Sequence, residues 1–173
     1  VQAIAGFYKD WGAIGGGTGN YLTVGEFASV DTNDLDSLYF PRGIVMNRDL
    51  SKVYPYDHTL VKEGITSSWY EYSGGDAASL HPWEGETVPK YTGPPTPWTY
   101  LQDEKKYTWM KSPRYDGRAM EVGPLARMVV GYAAGQKDIK EITNTLLDRL
   151  DVPPAALFST LGRVAARCME TVL

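Results

Sequence analysis

The chain has 173 residues, 43% of them hydrophobic and 22% charged, which is enough for one domain with a packed core. Its net charge of −4 argues against nucleic acid as a main partner, because phosphate binding needs a basic face, and no apolar run approaches the roughly 20 residues of a membrane span. The single cysteine, Cys168, excludes an intramolecular disulfide and a cysteine-rich metal site, and two histidines, His58 and His81, cannot make a three-histidine centre.

No secretory signal is visible, and the chain begins at Val1 rather than at Met, as a processed end or an excised segment would. Ile4, Phe7, Tyr8, Trp11 and Ile14 lie near helical spacing and predict an amphipathic helix over 2–14. The glycine cluster GGGTGN at 15–20 ends it. That cluster is not a dinucleotide fingerprint, because the third glycine falls at Asn20 and no strand precedes it; nor is it a phosphate loop, because no Lys-Ser/Thr follows. Residues 21–27 read as a short strand, and 43–54 as two strands around an Asn-Arg-Asp turn. Residues 55–72 read as an extended lead into a short helix with Asp57 as candidate cap. The proline-rich stretch 73–118 lacks periodicity, and a loop of that length is normally functional or pinned against another body.

The last third is helical in pattern. Pro124 and Gly135 bracket one helix; Ile139, Ile142, Leu146, Leu147 and Leu150 share a face of a second. A third begins at the prolines of 153–154 and runs apolar to Leu173 with no visible cap. Cys168 falls in that apolar pattern and reads as a small buried residue. The fold class is therefore α+β: short strands and long ordered loops in the first two thirds, three helices in the last third, as one partial domain over 1–173.

The residues that carry chemistry gather in HPWEGETVPKYTGP, 81–94. His81 precedes Pro82, which restricts it to extended backbone and fixes its ring direction; it can relay a proton, polarise a redox group or donate one structural hydrogen bond. Glu84 and Glu86 point the same way in an extended loop, as paired catalytic carboxylates or as solvated charges. Ser67 and Ser68 near His58 form no nucleophile elbow. Arg114 and Arg118 flank a Tyr-Asp-Gly turn, to pair with acids or to hold an anion. Glu121, at the mouth of the helix begun by Pro124, either stabilises that helix start or is placed for proton transfer.

Six stretches, in order, resemble the large, catalytic subunit of nickel–iron hydrogenases: FYKDWGAIGGG (7–17), YFPRGIV (39–45), SWYEY (68–72), HPWEGETVPKYTGP (81–94), YTWMKSPRYDGRAMEVGPLARMVVGYAAG (107–135) and LFSTLGRVAARCMET (157–171). The resemblance implies a segment of a larger, mainly helical subunit. Its enzyme reversibly splits dihydrogen into protons and electrons at a nickel–iron centre with carbonyl and cyanide ligands. It implies as partners the remainder of the large subunit and a small subunit whose iron–sulfur clusters take the electrons. It implies a location at the periplasmic side of the inner membrane or membrane-associated, with the cytoplasm as the other possibility.

The family holds its metals with two Cys-x-x-Cys pairs, and this sequence has neither, so the chain alone is expected to bind no metal centre and to be inactive. The resemblance places His81, with Trp83 and Tyr91, at the interface near an iron–sulfur cluster. It places Glu121 near the active-site interior as a water-holding carboxylate or part of a proton path. The alternative is a metal-free, hydrogenase-like scaffold or interaction module in an electron-transfer complex.

Overall fold

The computed structural model describes residues 2–75, 79–94 and 106–173. In chain order the regular elements are α1 (Gln2–Phe7), β1 (Tyr21–Thr23), β2 (Glu26–Ala28), β3 (Leu38–Phe40), β4 (Gly43–Val45), β5 (Val61–Gly64), β6 (Tyr70–Tyr72), β7 (Ser79–Leu80), β8 (Thr87–Pro89), β9 (Ser112–Tyr115), α2 (Pro124–Ala133), α3 (Lys137–Leu150) and α4 (Thr160–Glu170). The chain divides into two compact units, one formed by residues 1–56 with 120–173 and the other by 57–119.

The first unit is built around α2. Pro124 supplies its first turn, Gly123 precedes it with φ 95°, and Gly135 (φ 82°) follows its end. Leu125, Ala126, Met128, Val129, Val130 and Gly131 are all buried, so α2 is apolar nearly all round and needs neighbours on every side. It packs against α3, α4 and β1. Gly131 sits against the Ile139 side chain, which lets α3 approach closely. The α3 stripe buries Ile139 and Leu147, with Ile142 and Leu146 half-buried. Strand β1 pairs antiparallel with β4 in the register Tyr21↔Val45, and β2 with β3 in the register Glu26↔Phe40. Arg127 of α2 joins Glu26 (2.9 Å) and Glu170, and these carboxylates raise its already high pKa, the Glu170 hydrogen bond first.

The second unit has a three-stranded antiparallel sheet, β7-β5-β9, and a β6–β8 pair in the register Tyr70↔Pro89. Asp57 caps a 3-10 turn, His58–Leu60, by accepting from Thr59 N–H at 2.9 Å. The Thr59 hydroxyl and N–H hold the Asp57 carboxyl below its usual pKa, so this bond outlasts the protonation of an ordinary aspartate and is lost only as stronger acid protonates the group.

Several sequence expectations change. The helix over 2–14 stops at Phe7, because Tyr8 leaves helical geometry (φ −113°, ψ 19°), and only a 3-10 turn, Lys9–Ala13, follows. The single strand over 21–27 is two, split by Gly25 at φ 85°. The second strand expected in 43–54 is a single bridge, Ile44↔Tyr54. No helix follows Asp57 beyond one 3-10 turn; Val61 instead enters β5 between two partner strands. The stretch 73–118 contains β7, β8 and β9, too short at 2, 3 and 4 residues to show an alternating pattern. The last helix is interrupted: Pro154–Leu157 is a 3-10 turn, and Ser159 then caps α4 by accepting from Gly162 N–H at 3.0 Å. It ends at Glu170 with Thr171 as cap, and Leu173 turns back against the core.

At Gly162 a Cβ would penetrate the Leu157 carbonyl oxygen, a backbone atom that cannot swing aside. Gly162→Ala is therefore expected to lower stability by about 1–3 kcal/mol, as overpacking does. Urea unfolding followed by circular dichroism measures it, and an unchanged midpoint refutes this packing account.

Candidate functional site

Glu121 stands between β1 and α2. Its backbone continues the sheet: Glu121 N–H donates to Asn20 O at 2.7 Å, and Leu22 N–H donates to Glu121 O at 2.9 Å. Its side chain meets Arg163 of α4 in a two-pronged pair, Nε to Oε1 at 2.6 Å and Nη2 to Oε2 at 2.7 Å. Both side chains are largely buried, at 16% and 26% exposure, so the pair is shielded from competing water. Arg163 Nη1 also donates to Gly15 O at 2.5 Å, and a Cβ at Gly17 would lie 2.5 Å from Nη2 and 3.0 Å from Oε2. The glycine cluster thus lets backbone close over a buried ion pair. The Glu121 bond raises the Arg163 pKa further, so the guanidinium keeps its charge. The helix-capping reading of Glu121 is corrected: α2 receives no side-chain cap, and the carboxylate is committed to Arg163.

His81 lies in the second unit just after β7 and is 8% exposed. Its Nδ1 accepts from Trp83 N–H at 3.1 Å, so the neutral ring carries its proton on Nε2. Glu84 closes the turn reciprocally, its Oε2 accepting from His81 N–H at 3.2 Å and its N–H donating to His81 O at 2.8 Å. Gly85 lies against Leu80 and Tyr72, where a side chain would collide. Tyr72 hydroxyl ties the same corner, donating to Glu63 O at 2.7 Å and accepting from Leu80 N–H at 2.9 Å.

His58 and Trp83 complete an aromatic group with His81: the His58 and His81 rings each lie 5.0 Å from Trp83 and 6.0 Å from each other. Trp83 is 81% exposed. Tyr91 belongs elsewhere in this unit, packed on Trp69 (4.8 Å) and Trp109 (6.0 Å), with its hydroxyl donating to Pro94 O. So His81 and Trp83 come together, and Tyr91 joins a separate aromatic cluster. Glu84 and Glu86 are exposed loop carboxylates. Arg114 and Arg118 are exposed and form no ion pair among the described residues, contrary to the pairing expected of them.

Cys168 is half-buried rather than buried. It lines an apolar groove of about 510 Å³ bounded by Ile4, Tyr8, Leu146, Leu150, Val164 and Val172. Among the described residues no three His, Cys, Asp or Glu side chains gather where they could hold a metal ion. A lone thiol in an apolar groove does not fit a thiolate-held nickel–iron centre, which needs several soft donors converging on one point.

Residues 1–173 match throughout the family described as Nickel-dependent hydrogenase. The chain belongs to this family. It is 43% identical to the uptake hydrogenase large subunit of Bradyrhizobium diazoefficiens, over 99% of this chain and 30% of that protein. It is 38% identical to the quinone-reactive Ni/Fe-hydrogenase large chain of Wolinella succinogenes, over 100% of this chain and 31% of that one. Among solved structures, it resembles the Ni-Fe-Se hydrogenase from D. vulgaris Hildenborough with a TM-score of 0.70 and 29% identity, covering 98% of this chain and 33% of that one. The [NiFeSe]-hydrogenase of Dm. baculatum gives a TM-score of 0.75 at 27% identity, with coverage of 98% and 32%. The chain therefore spans about 30% of the length of its hydrogenase relatives. These relatives are hydrogenases, which does not favour the metal-free module.

For this hydrogenase-family chain, sequence reading missed Arg163 as the partner of Glu121 and His58 as the neighbour of His81. Arg163 reads as one more polar residue on an amphipathic helix, 42 positions from the carboxylate it holds. His58 gave a weaker signal, one of only two imidazoles in the chain.

The Glu121–Arg163 bonds predict strong coupling. Glu121→Gln and Arg163→Met should each destabilise the protein by about 1–3 kcal/mol, and the double variant by less than the sum. Urea unfolding of the four-protein cycle measures this, and simple additivity would show that the pair carries no interaction of its own.

Proposed function

We propose that this chain is the central segment of the large subunit of a nickel–iron hydrogenase, which oxidises dihydrogen reversibly to protons and electrons. The observation that carries the reading is the match of all 173 residues to nickel-dependent hydrogenases while spanning about 30% of the relatives' length. The thiolates for a nickel–iron centre with carbonyl and cyanide ligands would come from the remainder of the large subunit. Electrons would pass to the iron–sulfur clusters of a small subunit, and the enzyme would work at the periplasmic side of the inner membrane or membrane-associated. No described helix is long and apolar enough to cross a membrane itself.

Within that enzyme the segment supplies shape and hydrogen bonds rather than metal ligands. His81 is the residue proposed at the small-subunit interface. Its Nδ1 is occupied by Trp83 N–H, leaving Nε2–H to donate across the contact, while exposed Trp83 and His58 supply apolar area around it. Tyr91 contributes to that surface through its own aromatic cluster. Glu121, held by Arg163, keeps the backbone of the glycine cluster in place beside α4 and can orient water only through whatever lone pairs the fork leaves free.

Two experiments test the proposal. The purified 173-residue chain is expected to carry no stoichiometric nickel and to show no hydrogen uptake by dye reduction, whereas the protein read from the full reading frame, isolated with its small subunit, shows both. Stoichiometric nickel in the isolated chain, or no uptake from the longer protein, overturns the reading. In the active enzyme His81→Ala should slow electron delivery to the acceptor dye while leaving hydrogen–deuterium exchange, which needs no electron export, near wild type. An unchanged dye-reduction rate removes the interface role.

A further inference from the structure

Arg48 occupies a conformation that an arginine enters at a cost. Met46–Asp49 is a tight turn closed by Asp49 N–H to Met46 O at 3.0 Å, and both central residues, Asn47 and Arg48, have positive φ, 53° and 61°. Such a turn favours glycine where Arg48 stands. The strain is held by Arg48 N–H to Gly19 O at 2.9 Å and Asn47 N–H to Asn20 Oδ1 at 3.1 Å. Strain retained in this way marks a side chain that must point one way.

The guanidinium so aimed is not used up. It donates to Gly16 O at 3.0 Å and lies 5.7 Å from the centre of the Phe158 ring. A Cβ at Gly16 would push the guanidinium aside, so the glycine lets it lie against the loop. Arg127 and Arg163 both pair with carboxylates, but Arg48 pairs with none among the described residues.

Beside it stands Tyr21, fully buried, with its ring 5.4 Å from Phe158. The Tyr21 hydroxyl is buried and, among the described residues, makes no hydrogen bond of good geometry; the Arg48 guanidinium lies close enough to donate weakly to its oxygen, which leaves the O–H itself without an acceptor. Burial first, and then the Glu121 carboxylate, raise its pKa, so the hydroxyl keeps its proton and remains a donor. The Glu121 and Arg163 charges cancel, which leaves Arg48 as the net positive charge of the corner.

We infer that Arg48 and the Tyr21 hydroxyl form a carboxylate-binding site beside the Gly15–Gly19 loop. A guanidinium takes a carboxylate through parallel N–H bonds, and the phenol adds a third donor whose desolvation is otherwise uncompensated. The carboxylate has two possible sources: a small free carboxylate, or an Asp or Glu side chain from polypeptide beyond residues 1–173. The second source rests on the proposed function.

The test uses acetate as probe, with chloride at equal ionic strength as control, and follows the Arg48 Nε–Hε resonance of the 173-residue chain by NMR. Acetate should shift it saturably and chloride should not. Arg48→Gln should abolish acetate binding, read from the loop amide resonances, and Tyr21→Phe should weaken it about tenfold, the worth of one hydrogen bond to a charged group. Should Arg48→Gln fail to fold, Arg48→Lys keeps the charge, loses the fork and should still bind acetate more weakly. Without acetate, Tyr21→Phe should leave the urea midpoint unchanged or higher, because the buried O–H has no acceptor and its oxygen no well-formed bond to lose. The site is refuted by equal responses to acetate and chloride, by undiminished acetate binding in the Arg48 variant, or by a Tyr21→Phe chain that is less stable. In the longer protein, loss of the acetate response identifies a carboxylate side chain of another segment as the occupant, and persistence identifies a free one. Failure of the hydrogenase reading leaves the measurements on the 173-residue chain untouched.

Discussion

Arg163 is the joint on which the first unit depends. One guanidinium grips the Glu121 carboxylate with two N–H groups and the Gly15 carbonyl with a third, tying α4 to the glycine cluster and to the start of α2. The partners lie 42 and 148 positions away in sequence, so the contact closes long loops. Because both charged groups are largely out of water, neither can be removed without stranding the other. The glycines follow from this geometry: a Cβ at Gly17 would meet both the guanidinium and the carboxylate. A glycine cluster that reads in sequence as a helix end is a close-fitting cover over an ion pair.

The second unit is organised differently. Its strands are short, and much of its order comes from side chains bonding to main chain. Tyr72 hydroxyl links Glu63 O to Leu80 N–H, Trp69 indole N–H reaches Lys106 O, and Lys111 ammonium bridges Glu63 and Thr87. Bonds of this kind satisfy backbone groups that have no ladder partner, which is how irregular chain stays defined. The His81–Glu84 turn is one such corner, and it presents Trp83 outward while fixing the tautomer of the imidazole behind it.

Helices with strong local signals were legible from sequence. Pro124 and Gly135 bracket α2, and the apolar stripe of α3 points to the core as its spacing requires. The family was legible too, because long motifs of unusual composition survive in order. The strands were not: at 2 to 4 residues they carry too few alternations to register, and they exist because partners from elsewhere complete their hydrogen bonds. At the candidate site His81 stood out through its proline neighbour, but the ring contacts were not legible: His81 meets Trp83 and His58 while Tyr91 meets Trp69 and Trp109, because an aromatic ring packs with whichever ring the fold brings near.

By itself the sequence determined the α+β class, the positions of α2 and α3, the family, and the lack of a thiolate set for a nickel–iron centre, since each depends on local pattern or residue count. Only the tertiary structure decided what the charged residues do. Glu121 alone is a carboxylate at a helix mouth, and Arg163 alone is a cation on an amphipathic face; their pairing arises because α4 packs on α2 and carries one to the other. Arg48 and the Tyr21 hydroxyl are likewise ordinary in sequence, and become the proposed site because β1 and the turn after β4 place a cation with no carboxylate partner among the described residues beside a buried O–H that has no acceptor there. Pairing across tens of residues is a property of packing, which local sequence does not encode.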